Sequence, residues 1–226
     1  MKGRHEWGWF CLMIVEMKCH HLRFIHLIIS LMVLVSGSVR AQGSLDWVLR
    51  KDQDSIRVFV ADDPDVAIKQ IRTEFTLKAK PEELIRELLR ADLYREWQYN
   101  TIKSEILETI SPTELIYYCE ISAPWPVDNR DVIVHLKVDR PIGARTFTVK
   151  TSCLPEARPK RDGIVRVPVS RGDWHVRQVG PELLKVDFRI QIDPGGAVPA
   201  WLVNLTLAQA PFQSFTNLKK RLAALR

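Results

Sequence analysis

The sequence predicts an α+β fold in which a curved antiparallel β-sheet wraps around a long C-terminal α-helix. Three observations predict it. Between residues 101 and 193, apolar side chains recur at period two rather than 3.6. The runs are separated by short turn signals, Ser111-Pro112-Thr113, Pro141-Ile142-Gly143 and Gly180-Pro181, which make successive strands antiparallel neighbours. The final segment, about 198–225, carries Val198, Trp201, Leu205, Ala208, Phe212 and Phe215 at steps of three and four, one apolar helical stripe.

In chain order, Ser44-Leu45-Asp46-Trp47-Val48-Leu49 is expected to open a short helix capped by Ser44. Strands follow over 56–61 and 68–78, the second with Ile71, Thr73, Phe75 and Leu77 alternating against polar neighbours. Pro81-Glu82-Glu83 starts a helix, with proline in the first turn and two acids at the positive dipole end. Leu84, Leu88 and Leu89 line its apolar side, and the pattern runs on to Trp97. The long run of strands then covers 101–110, 114–122, 130–140, 145–153, 171–179 and 182–193. In the last, Leu184, Val186, Phe188, Ile190 and Ile192 alternate with Lys185, Asp187, Arg189, Gln191 and Asp193, so one face is dry and the other wet. Pro211 interrupts the C-terminal helical pattern and is expected to kink it near Leu207.

The chain has 226 residues, 46% of them apolar and 27% charged, which excludes disorder and a disulfide-dense mini-protein. Residues 22–35 form an apolar run behind Lys18, His20, His21 and Arg23, followed by Ser36-Gly37-Ser38-Val39-Arg40-Ala41. That three-part layout predicts a signal peptide cleaved after Ala41, hence a periplasmic or secreted protein of residues 42–226. Met17 begins a signal of conventional length, which makes residues 1–16 an upstream mis-start. Removing 1–41 takes five of 33 Lys/Arg and two of 27 Asp/Glu, leaving 28 against 25, so the net +6 falls to +3. No dense basic stripe remains, and nucleic acid is excluded as a partner.

Cys119 and Cys153 are expected as two free, buried thiols, because their strands flank 130–140 on opposite sides, farther apart than a disulfide reaches. A zinc site from these cysteines with His135 and His175 would need ligands from both sheet faces, so no metal is expected. No nucleophile elbow, P-loop or dinucleotide fingerprint occurs, and no catalytic residue is assigned. Trp97, Trp125, Trp174 and Trp201, with Tyr117, Phe147 and Phe188, suit a wall around a large apolar guest. Arg130 and Asp131 point to opposite sides of one strand. They cannot simply pair with each other, and one must find a partner inward or toward a loop.

Pro124-Trp125-Pro126 with Asn129-Arg130-Asp131, followed by Asp193-Pro194-Gly195-Gly196, Pro199, Trp201, Leu202 and Asn204, resembles the START (StAR-related lipid-transfer) domain, from about residue 45 to the end. The resemblance implies a helix-grip fold, an internal tunnel holding a sterol, phospholipid or ceramide, the last helix as a lid, and no cofactor. Some sterol-binding members carry a second arginine six residues after the Arg-Asp pair. Leu136 stands there, so that ion pair is not carried over. The wider superfamily includes polyketide cyclases and hydrolases, which supplies an enzymatic alternative acting on a hydrophobic substrate in the same cavity.

The expected site is a cavity wall of Trp97, Tyr117, Trp125, Arg130, Leu136, Phe147, Trp174, Phe188, Trp201 and Leu205. Gly195 and Gly196 serve as the hinge of the lid. The expected partner is one lipid or other hydrophobic small molecule, bound without catalysis by a monomer that touches membranes transiently.

Overall fold

The computed structural model describes residues 45–62, 69–198 and 200–225. The signal-peptide reading, and with it the cleavage site, lies outside the described residues. Strands β1 (Val48–Gln53), β2 (Ile56–Asp62) and β3 (Lys69–Leu77) lead into α1 (Pro81–Leu89) and a 3-10 turn (Ala91–Glu96). There follow β4 (Thr101–Ser111), β5 (Glu114–Ile121), β6 (Asn129–Asp139), β7 (Thr146–Cys153), β8 (Ile164–Arg166), β9 (Val169–Gly180), β10 (Leu183–Asp193) and the helix α2 (Ala200–Ala224). The sheet runs β1-β2-β3-β10-β9-β7-β6-β5-β4, all antiparallel, with β8 added in parallel to the start of β6. Helix α2 lies on its inner face, where Phe212, Phe215, Leu218 and Leu222 join the core.

Strand parity decides which side chains meet that helix. Leu115, Tyr117 and Cys119 of β5, Val132, Val134, Leu136 and Val138 of β6, Phe147 and Val149 of β7, and Trp174 and Val176 of β9 all enter one apolar cluster. Their odd-step neighbours form a charged outer face. There Arg72 of β3 donates three hydrogen bonds to Asp187 of β10, one of 2.8 Å. His135, on that outer face, pairs with Glu114 at 2.7 Å.

Two local features depart from expectation. The segment read as a helix beginning at Ser44 is strand β1. Asp54 and Ser55 both take positive φ, 54° and 58°, which makes the two-residue turn whose twist matches a hairpin and folds β1 onto β2. No glycine marks that turn, so the sequence conceals it. The second is β8, where the sequence reading left a gap.

Arg166 of β8 holds Asp131 in a two-bond pair, Nε to Oδ1 at 2.6 Å and Nη2 to Oδ2 at 3.0 Å, with both side chains at most 3% exposed. Its Nη1 also donates to the carbonyls of Pro155 (2.6 Å) and Arg158 (3.1 Å), so one guanidinium ties the 154–163 loop to β6. The hydrogen bond to Asp131 outweighs burial and raises the Arg166 pKa above its ordinary value. Removing one partner of such a pair strands a buried charge. Arg166→Met is expected to cost about 3–5 kcal/mol in urea unfolding, and Asp131→Leu with Arg166→Met to cost clearly less.

Candidate functional site

The inner face is not uniform along its length. Along β10 the inward residues Leu184 and Val186 are fully buried, whereas Phe188, Ile190 and Ile192 are half-buried. Antiparallel pairing brings the end of β5, the start of β6, the end of β7, the start of β9 and the end of β10 to one edge of the sheet. Ile121, Cys153, Ile190 and Ile192 sit at that edge, all half-buried and all packed on the core. Leu207 and Ala208, in the N-terminal half of α2, share this partial burial. The site is therefore an apolar wall that is dry at one end and accessible at the other.

Two aromatic groups make up the dry part. Phe215 of α2 stacks on Phe75 with ring centres 4.5 Å apart, and meets Trp174 and Phe188 edge-on at 5.4 and 5.3 Å. Tyr94 stands edge-on to both Trp97 and Tyr117 at 5.0 Å. Burial pushes the Tyr94 and Tyr117 phenols well above their usual range. The Thr73 hydroxyl and the Trp97 indole N–H are buried without a hydrogen-bond partner among the described residues. Both are polar groups that an inner wall designed only for packing would not keep.

Of the residues expected in a cavity wall, Trp97, Tyr117, Leu136, Phe147 and Trp174 lie in this core cluster, and Phe188 packs against it. Trp125 does not line the wall: it is 91% exposed, in the loop between β5 and β6, because Pro124 and Pro126 hold that loop away from the sheet. Trp201 and Leu205 are on α2, with side chains outside the described residues.

Arg130 extends from the inner face, in register with Ile121 and Val165, and is 8% exposed. Its Nη1 donates to the Asp128 carbonyl, and burial lowers its pKa. The two acids nearest in register, Glu120 and Asp131, point to the outer face and are taken by Arg161 (2.9 Å) and Arg166.

Cys119 and Cys153 both face inward, on strands either side of β6, and both are free thiols. Cys119 is buried, and that burial pushes its thiol up to about 12. Cys153, expected to be buried, is half-buried because it stands at the accessible edge, where its sulfur accepts from the Ser170 N–H at 3.0 Å. His135 and His175 sit on the opposite side of the sheet from these thiols. Among the described residues no cluster of His, Cys, Asp or Glu is arranged to hold a metal. His175 lines a separate outer concavity of about 500 Å³, with Thr146, Thr148, Arg177, Lys185 and Asp187.

What sequence reasoning missed here is Arg166 and the accessible edge itself. The unmet demand of Asp131 for a partner pointed to the first. The second depends on what covers each strand end, which alternation does not encode.

Residues 39–226 match the family model described as the START domain. The chain belongs to the START family. Among solved structures it is similar to a STAR-related lipid transfer protein of Xanthomonas axonopodis, at 32% identity and a TM-score of 0.71. That match covers 78% of this chain and 98% of the other. An uncharacterised Pseudomonas aeruginosa protein is 27% identical over 82% of this chain and 89% of its own length. Human phosphatidylcholine transfer protein is 24% identical over 73% and 78% respectively. The fold is accordingly the helix-grip arrangement of START domains, and the expected α+β class holds.

Within that fold, Gly195 and Gly196 precede α2 with φ of 67° and 64°. The Gly195 N–H donates to Asp193 Oδ1 at 2.8 Å, and a Cβ on Gly195 would come within 2.9 Å of Pro168 and 3.2 Å of the Arg166 carbonyl. A Cβ on Gly196 would meet nothing closer than 3.5 Å. Both positions thus demand the left-handed region, and the first also demands closeness to β8. Gly195→Ala is expected to lower the melting temperature more than Gly196→Ala, each costing about 1 kcal/mol or more. Equal losses would show that backbone conformation alone, and not contact with β8, sets the requirement.

Proposed function

We propose that this START domain binds one lipid, or another apolar small molecule, along the half-buried part of its inner wall and carries it without chemical change. The observation that carries this reading is the gradient along β10. Ile190 and Ile192 face the same way as Leu184 and Val186, yet the protein's own side chains cover only the latter pair completely. Apolar surface kept inward and left partly uncovered gains roughly 25 cal/mol per Å² from a hydrocarbon guest. Similarity to lipid transfer proteins of the same family supports the same class of ligand. No His-carboxylate pair faces inward among the described residues, and the one such pair, His135–Glu114, is on the outer face. That favours carriage over the cyclase-like alternative.

Exchange of the guest is assigned to the N-terminal half of α2. The C-terminal half is fastened: the Tyr99 N–H donates to Ser214 Oγ (3.0 Å), Asn217 Nδ2 to the Trp97 carbonyl (3.2 Å), and Arg221 pairs with Glu87 and Glu96. Pro211 lies between the two halves and supplies no N–H to the Leu207 carbonyl, so the helix is weakest there. In this reading the exported chain is residues 42–226, a monomer that meets membranes briefly when loading and unloading.

Organic extraction of the purified protein, with native mass spectrometry, is expected to yield close to one lipid per chain. Ile192→Lys is expected to abolish that occupancy while the fold survives, because the residue is already half-buried. Val186→Lys is expected to unfold the protein. Full occupancy in Ile192→Lys would overturn the assignment of the wall.

Trp125 provides the membrane contact in this scheme. It is an exposed aromatic on the loop joining β5 to β6, at the same edge as the accessible wall. Trp125→Ala is expected to slow lipid transfer between vesicles several-fold while the amount bound at equilibrium stays unchanged. Transfer at the native rate would remove Trp125 from the contact.

A further inference from the structure

One charge at the accessible edge has no ion-pair partner among the described residues. Arg130 is 8% exposed and starts from the same face of β6 as Val132, Val134 and Leu136. Its guanidinium has one hydrogen bond among the described residues, to the Asp128 carbonyl, and no carboxylate within ion-pair distance. The contrast with Arg166 is sharp, since that guanidinium holds a carboxylate by two bonds and three carbonyls besides. A guanidinium carries five N–H donors, and all but one of those of Arg130 meet no acceptor among the described residues, leaving them open to a ligand.

The described residues supply no acid within ion-pair distance of it. Asp131 and Glu120 lie on the far face of the sheet and are fully engaged, Glu120 by Arg161 and by the Asn129 amide at 3.3 Å. Asp128 acts on Arg130 only at longer range. On the inner side, the next residues along the strands are Ile121, Val132 and Cys119, all apolar. Arg130 is thus a cation at the rim of the inner wall, with donors that no described residue fills and no carboxylate among the described residues within ion-pair distance.

We propose that Arg130 is the head-group anchor of the site, and that the ligand class is an amphipathic lipid with an anionic head, phosphate or carboxylate, whose chain lies along Ile190 and Ile192. This rests on the lipid-carrier reading above and narrows it. A planar guanidinium donates to two anionic oxygens side by side, which lysine cannot reproduce. The anchor also sets polarity: the head stays at the edge from which exchange occurs and the chain points toward the dry end.

The test compares phosphatidic acid with diacylglycerol of identical acyl chains, each competing with a fluorescent fatty-acyl probe for the full exported chain. Native protein is expected to prefer phosphatidic acid by about tenfold or more. Arg130→Gln is expected to bring the two lipids to within about twofold, with diacylglycerol affinity unchanged. Arg130→Lys is expected to fall between, and carries the test if the glutamine variant melts early. An unchanged preference in a folded Arg130→Gln or Arg130→Lys protein would overturn the anchor while leaving the carrier intact. Displacement of the probe by millimolar inorganic phosphate would shift the site to a soluble anion and overturn it as well. If native protein bound neither lipid, the carrier reading itself would fail.

Discussion

The pairing of Asp131 with Arg166 is the constraint on which the rest of the structure rests. Two ions lie almost wholly out of water, an arrangement that is tolerable only because every remaining donor of the guanidinium finds a carbonyl. That satisfaction recruits the 154–163 loop and holds β8 beside β6. It also presents the Arg166 carbonyl and Pro168 to Gly195, so the approach to α2 is shaped by the same cluster. Strand parity then does something further. Because Asp131 is committed outward, its neighbour Arg130 must face inward, where no acid among the described residues pairs with it.

The inner face and the helix upon it are asymmetric in the same direction. Where the wall is dry, α2 is fastened by side-chain bonds from Ser214, Asn217 and Arg221. Where the wall is half-covered, Lys51 Nζ donates to Gln209 Oε1 at 3.1 Å, and Pro211 interrupts the helical ladder. Rigidity and access are separated along one helix. The proposed carrier role uses both, the dry end keeping the sheet wrapped while the other end exchanges the guest.

Much of this was legible in the sequence. The alternation of β10 and the short turns between strands sufficed for the sheet and for the helix across it, and the two-strand separation of Cys119 from Cys153 followed from them. The failures have physical causes. The hairpin at Asp54-Ser55 uses residues that merely tolerate positive φ, so nothing advertises it. β8 is three residues long and depends on a partner remote in sequence. Trp125 was read as wall because aromatic residues favour burial in general, but its proline neighbours decide otherwise. The accessible edge is a property of three-dimensional cover, and Ile192 looks no different from Val186 in a string of letters.

The order of strands in the sheet has a consequence for how the molecule comes into being. β3 sits between β2 and β10, and its outer-face link from Arg72 to Asp187 joins residues 115 positions apart. When β3 emerges from a ribosome or a translocation pore, the strand that completes it does not yet exist. The sheet closes only after nearly the whole chain has appeared, which makes assembly slow and late. Until then Ile71, Phe75 and their neighbours are bare, and a nascent chain of this design has reason to be shielded by a chaperone.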